Sequence, residues 1–171
     1  RMEQLDLTEI ARSAVFAQRV ASPDIRVPLN VGEGAILVEC DGRLASQALA
    51  NILKNAAESV SARMDLDGGK TAGSIQVQVY RDCGFGVIEA RDDGLGWPTP
   101  DRTRLTEPYM TTREKGTGLG LAIVRRVMED HGGRLELDDP GEGRTGAVVK
   151  LAFPLLEAET GAEDASARAE A

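Results

Sequence analysis

Three groups of residues in this sequence have types and spacing suited to chemistry. Gln47, Asn51, Asn55 and Ser59 recur at every fourth position, the spacing that aligns side chains along one face of a helix. Asparagine is a mediocre helix former, and its amide oxygen is a neutral, hard ligand of the kind Mg²⁺ takes alongside water and phosphate oxygens. Taken alone, a solvated polar face accounts for the stripe as well. The second group is Asp92-Asp93-Gly94-Leu95-Gly96, directly after an apolar stretch. A carboxylate at a strand end can accept a hydrogen bond from an amino group such as that of adenine, and the glycines let the backbone turn close to a ligand. An ordinary acidic turn has the same composition. The third is Thr111-Thr112-Arg113-Glu114-Lys115-Gly116-Thr117-Gly118-Leu119-Gly120-Leu121. A glycine-rich loop that opens a helix offers free N–H groups and the positive end of the helix dipole to an anion. Arg113 and Lys115 add charge suited to phosphate. A flexible linker explains this group poorly, because three alternate glycines feed directly into an apolar helix.

Other phosphate-binding patterns fail on spacing. Gly69-Lys70-Thr71 ends like a P-loop, but Met64 stands where that motif needs glycine, and a helix precedes it instead of a strand. Gly116-Thr117-Gly118-Leu119-Gly120 is spaced GxGxG, not GxGxxG, and follows a polar stretch where a dinucleotide fingerprint requires a strand. The eukaryotic-type protein-kinase motifs are absent.

Composition narrows the classes further. The 171 residues carry 20 Lys or Arg against 28 Asp or Glu, a net charge of −8, which argues against nucleic acid or an anionic membrane as a partner. A 42% hydrophobic fraction supports one core. No apolar run approaches the ~18 residues of a membrane span, and no signal peptide is visible. Cys40 and Cys83 lie far apart and His131 is the single histidine, which excludes a Cys/His zinc cluster and a disulfide scaffold and points to reduced, cytosolic thiols. The abrupt opening at Arg1 is expected of a piece of a longer protein.

The elements that must position these groups follow from periodicity and punctuation. Asp6–Ala21 reads as a helix with Leu7, Ile10, Ala11, Ala14, Val15 and Ala17 on its apolar face, closed by Pro23. Ile25–Val31 and Ala35–Cys40 alternate as strands around Gly32 and Gly34. Asp41 is suited to cap a long helix reaching about Met64, with Leu49, Ile52, Leu53, Ala56 and Val60 inward. Ser74–Tyr80 and Phe85–Ala90 form a hairpin about Asp82-Cys83-Gly84. Asp92–Gly120 reads as a loop, which at this length is either functional or disordered, and a helix from Leu119 to about Asp130 stops at Gly132-Gly133. Arg134–Leu137 and Ala147–Phe153 form a final antiparallel pair. The expected class is α+β, a mixed, largely antiparallel sheet with helices on one face. The domain is expected over 1–156, with a disordered acidic tail at 157–171.

In this order the three groups resemble the ATP-binding catalytic domain of bacterial sensor histidine kinases, within the larger gyrase B, Hsp90 and MutL group. Ala50–Glu58 resembles the N box, and Asp92–Gly96 the G1 box, with Asp93 where Asn is commoner. Glu107-Pro108-Tyr109-Met110-Thr111-Thr112 resembles the F box, with Thr106 at the place of its phenylalanine. Gly116–Leu121 resembles the G2 box, followed by a helix ending in His131-Gly132-Gly133. Gly143-Arg144-Thr145 resembles the last glycine–threonine motif, with Ala147 where an aromatic is frequent. The stretch from Glu107 to Lys115 is similar to nitrogen-regulation kinases of the NtrY type. The likeness covers roughly residues 5–155.

The resemblance implies a two-layer α/β sandwich of the Bergerat type, with about three helices over the sheet. It implies ATP and Mg²⁺, with Asn55 as metal ligand and Asn51 and Lys54 near the phosphates. Asp92 would bind the adenine amino group, with Gly94 and Gly96 shaping that pocket and Thr145 nearby. Thr112, Arg113, Lys115, Gly116, Thr117, Gly118, Leu119, Gly120 and Leu121 would form the lid and phosphate cradle. ATP-hydrolysing relatives carry a water-activating glutamate four residues before the metal-binding Asn; here that position is Asn51, an amide that cannot act as a general base. Transfer to a histidine on a dimerisation hairpin outside this chain is therefore expected, with a response regulator downstream, a membrane-anchored parent protein and a monomeric isolated domain. A nucleotide-binding module without turnover and a gyrase-type ATPase are the alternatives.

Overall fold

The computed structural model describes residues 1–98, 105–107 and 120–156. The chain opens with β1 (Met2–Asp6), which pairs antiparallel with β4 (Leu37–Asp41) in a two-stranded sheet. Sequence periodicity gives no sign of β1, because most of it is exposed and only its far end, Leu5 and Asp6, is half-buried. Asp6 ends the strand and caps α1 (Leu7–Ala21): its carboxylate accepts from the N–H groups of Thr8 and Ile36, each at 3.0 Å. Such a cap typically contributes about 1 kcal/mol. The inward face of α1 is Leu7, Ile10, Ala11 and Val15; Ala17, expected on that face, is exposed.

The expected strand over Ile25–Val31 is broken in two, β2 (Ile25–Arg26) and β3 (Leu29–Val31). Both run parallel to β5 (Gly73–Asp82) in one continuous register, Arg26 opposite Ser74 and Leu29 opposite Val77. Pro28 lies in the gap, where its missing N–H removes a ladder bond, although its carbonyl still accepts from Val77 N–H at 2.9 Å. The next strand begins at Leu37, not Ala35.

Asp41 caps α2 (Gly42–Leu66) as expected, accepting from Leu44 N–H at 3.1 Å. β5 turns directly into β6 (Phe85–Asp92), and β6 pairs with β8 (Val148–Pro154), which pairs with β7 (Arg134–Asp138). Among the described residues the larger sheet therefore runs β2/β3, β5, β6, β8, β7, antiparallel except at the β2/β3 edge. α2 lies between α1 and α3 (Gly120–Asp130); α2 packs on β5 and β6, and α3 on β7 and β8. The core fills the space between the layers, with Leu49, Leu53 and Val60 of α2 against Ile75, Val77, Ile88, Leu151 and Phe153 of the sheet. Among the described residues this is the expected α+β sandwich, with three helices over one face.

His131 locks two helix ends together. Its Nε2 accepts from Asp41 N–H at 2.9 Å, so the proton sits on Nδ1, which donates to the Val127 carbonyl at 2.7 Å. The ring is buried and meets Phe153 edge-on. It is a structural residue at the end of α3, as its sequence position implied.

Candidate functional site

The site is built where β6 runs out beneath α2. Asp92 is the last residue of β6 and only 6% exposed. Its N–H donates to the Ala147 carbonyl at 2.9 Å, and its Oδ1 accepts from Gly94 N–H at 2.9 Å. The chain then presses against α2. A Cβ on Gly94 would lie 2.4 Å from Ser59 Oγ and 2.6 Å from the Ser59 carbonyl carbon. Leu95 N–H donates to Ser59 Oγ at 2.9 Å. On the opposite side, a Cβ on Gly146 would sit 1.9 Å from the Asp92 carbonyl oxygen, and Gly146 has φ +119°. Only glycine fits there. Gly96 faces the same residue, its own missing Cβ 3.2 Å from the Gly146 carbonyl oxygen. Trp97 closes the loop by donating from its indole to the Asp138 carbonyl at 2.9 Å.

The polar stripe on α2 is graded and not uniform. Gln47 is exposed, Asn51 and Asn55 are half-buried, and Ser59 is buried. A solvated face therefore does not describe it, since Ser59 holds the loop after Asp92. One turn before Ser59, Asn55 meets the start of α3: a Cβ on Gly120 would lie 3.5 Å from Asn55 Nδ2 and 3.9 Å from its Oδ1. Lys54 points outward and is exposed. Leu121 is half-buried against the hydrophobic core. Thr145 is exposed and adjoins Gly146. Thus Asp92, Gly94, Gly96, Ser59 and Gly146 form one close-packed unit. Asn51 and Asn55 lie earlier on the same helix, facing the α3 end in the case of Asn55. Thr112, Arg113, Lys115, Gly116, Thr117, Gly118 and Leu119 lie outside the described residues, as do most of the F box and the tail at 157–171. Thr106, at the phenylalanine position of that box, is buried and accepts from Arg125 of α3 at 3.1 Å.

Sequence reasoning missed Arg63, the next member of the stripe. Its guanidinium donates from Nε to the Asp93 carbonyl (3.0 Å) and from Nη2 to Asp93 Oδ1 (3.2 Å) and the Ala72 carbonyl (3.2 Å). Nη1 donates to Asp67 Oδ2 (2.6 Å) and the Thr71 carbonyl (3.0 Å). Burial opposes this charge, but the bonds to Asp67 and Asp93 outweigh it and raise the pKa above the ordinary arginine value. Asp67 is correspondingly lowered, chiefly by its bond from Arg63. The four-residue spacing 47, 51, 55, 59, 63 was the available signal. Gly146 had none, because only the pairing of β8 with β6 brings it to Asp92.

A family model described as the histidine kinase-, DNA gyrase B- and HSP90-like ATPase matches residues 40–157, from the α2 cap through β8. The chain belongs to this ATPase family. Within it, the chain is 46% identical to the nitrogen regulation protein NtrY of Azorhizobium caulinodans over 169 residues, 98% of this chain and 21% of the relative. It is 32% identical to sporulation kinase A of Bacillus subtilis over 142 residues, 83% of this chain and 22% of that one. The chain thus spans about a fifth of the length of these curated relatives. Its fold is similar to that of a mycobacterial sensor histidine kinase, MprB, with TM-score 0.76 and 28% identity, covering 91% of this chain and 98% of the other. The region corresponds to the ATPase-family catalytic domain of NtrY-like sensor histidine kinases. Among the described residues of this ATPase-family domain, no group of three or more His, Cys, Asp or Glu could hold a metal ion, and no helix is long and apolar enough to cross a membrane.

Proposed function

We propose that this domain binds ATP with Mg²⁺ and passes the γ-phosphoryl group to a histidine on a dimerisation hairpin of its parent protein. The observation that carries the reading is Asp92: a buried carboxylate at a strand end, walled by Gly94, Gly96 and Gly146. There it accepts a hydrogen bond from the adenine amino group, and a guanine, which presents a carbonyl at that position, is refused. Asn51 and Asn55 lie earlier on α2, where the phosphates extend toward the start of α3. The residues present suit Mg²⁺: Asn55 would hold the ion through a hard amide oxygen, the kind of ligand Mg²⁺ takes alongside water and phosphate oxygens. Bound there, the ion would supply charge neutralisation for the transferring phosphoryl group. The protein holds the triphosphate in line, and catalysis of this kind rests on positioning and electrostatics.

Asn51 favours transfer over hydrolysis, since an amide cannot take a proton from water. The acceptor is then a supplied histidine, and a response regulator takes the phosphoryl group onward. Membrane anchorage of the parent and monomeric behaviour of the isolated domain belong to the same reading. The test is incubation with γ-labelled ATP, Mg²⁺ and a separately expressed histidine hairpin. Label should move to the hairpin, and Asn55→Ala should abolish transfer. Steady phosphate release without label on the hairpin would instead support an ATPase, and nucleotide binding with neither outcome a module without turnover.

A further inference from the structure

Arg63 touches neither end of the proposed nucleotide site, yet it ties the residue after Asp92 to the end of α2 and to the segment leading into β5. It lies eight residues beyond Asn55 on α2, about 12 Å along the helix axis at 1.5 Å per residue. Its side chain is 14% exposed, and its five donor hydrogen bonds reach three separate segments. Asp67 belongs to the end of α2, Thr71 and Ala72 lead into β5, and Asp93 directly follows Asp92. Asp93 is also stitched to β5, its Oδ1 accepting from Ser74 N–H at 3.0 Å and its own N–H donating to the Ser74 carbonyl at 3.3 Å.

We propose that Arg63 is a positioning residue for nucleotide selectivity: by clamping both the carbonyl and the carboxylate of Asp93, it fixes the orientation of the neighbouring Asp92 carboxylate relative to α2. The inference rests on the adenine role given to Asp92 under the proposed function. The geometry requires this guanidinium in particular. Two donors, Nε and Nη2, grip Asp93 at its carbonyl and its carboxylate, so the Asp93–Gly94 peptide, whose N–H donates to Asp92 Oδ1, cannot rotate. A lysine is a single point charge without the planar fork and cannot hold both points and Asp67 together. Because Arg63 and Asn55 share one helix, the clamp also sets the distance between the adenine-recognising carboxylate and the phosphate end.

The test compares affinities for ATP and GTP by calorimetry for the unsubstituted chain, Arg63→Met and Arg63→Lys, with thermal melts to confirm folding at the working temperature. A variant that was merely less stable would lose both nucleotides in proportion and leave the ratio of affinities unchanged. The clamp predicts a fall in that ratio of about tenfold or more in Arg63→Met, because small misplacements of a recognition group are costly. Arg63→Lys, which keeps the charge and the stem, should fold and still lose part of the preference, so it decides the matter if Arg63→Met does not fold. If the unsubstituted chain prefers ATP and a folded Arg63 variant prefers it equally, the clamp is refuted and the proposed function stands. If the unsubstituted chain shows no preference, both are overturned.

Discussion

The two ends of β6 carry the same Asp-x-Gly-x-Gly pattern, Asp82-Cys83-Gly84-Phe85-Gly86 where it starts and Asp92-Asp93-Gly94-Leu95-Gly96 where it ends. The fold uses the two in opposite ways. At the first, Asp82 faces Phe85 across a two-residue turn in which Cys83 and Gly84 have φ of +48° and +83°. That is the backbone of a tight hairpin turn whose twist suits the strands it joins. Asp82, Cys83 and Gly84 are all exposed, and a Cβ on Gly84 would meet nothing within 4 Å. At the other end Gly94 keeps an ordinary φ and is glycine because α2 leaves no room for a side chain. Asp92 is buried where Asp82 is exposed. The same residue types make a turn where solvent surrounds them and a binding wall where a helix and a third strand press in.

Substitution of Gly84 and Gly94 should separate these roles most sharply. Gly94→Ala drives a methyl into Ser59, including its backbone, and should destabilise the domain by about 1–3 kcal/mol, the usual scale for overpacking. Its ATP binding should fall below calorimetric detection. Gly84→Ala places a side chain in open space at positive φ, with an expected cost of about 1 kcal/mol in urea denaturation and unchanged nucleotide affinity. Equal effects on binding would erase the distinction.

The two aspartates should differ more gently. Asp92→Ala removes one hydrogen bond inside a closed pocket, worth about 1–3 kcal/mol, so ATP affinity should drop roughly 5- to 150-fold while GTP affinity stays nearly constant. Asp82→Ala should stay within about twofold of the parent, as surface substitutions generally do.

A smaller effect concerns Cys83. The hydrogen bond and charge of Asp82 raise its pKa, so Asp82→Ala should increase its thiolate fraction and speed alkylation by iodoacetamide near pH 8. Cys40, buried and with its thiol pushed up to about 11 by that burial and by Asp41 and Glu3, should stay unlabelled until the domain unfolds. Unchanged Cys83 kinetics in the variant would show that Asp82 does not govern that thiol.

Much of the fold was legible because periodicity reports burial. The inward residues of α2, the cap at Asp41 and the end of β6 at a carboxylate all derive from residue type and spacing. What periodicity does not report is the partner. β1 is legible only through its pairing with β4, since its own side chains are mostly exposed. Ser59 reads as part of a polar stripe and turns out buried, with Gly94 packed on it and Leu95 N–H donating to its Oγ. Arg63 and Gly146 acquire their roles from Asp93 and Asp92, which lie 30 and 54 positions away. The Asp-x-Gly-x-Gly pattern alone does not tell Asp92 from Asp82. The residues after each pattern do: Val87 and Ile88 continue an apolar strand, whereas Trp97 and Pro98 open a long polar stretch.

The most direct measurement is a titration of the ¹⁵N-labelled chain with ADP and Mg²⁺, followed by amide chemical shifts. Nucleotide bound at the end of β6 should shift Gly94, Leu95, Gly96 and Gly146 together with Asn55 and its neighbours on α2, leaving Cys83 and Gly84 where they were. Saturable binding that moved the hairpin turn and left Gly94, Gly96 and Gly146 unmoved would contradict the placement of the site.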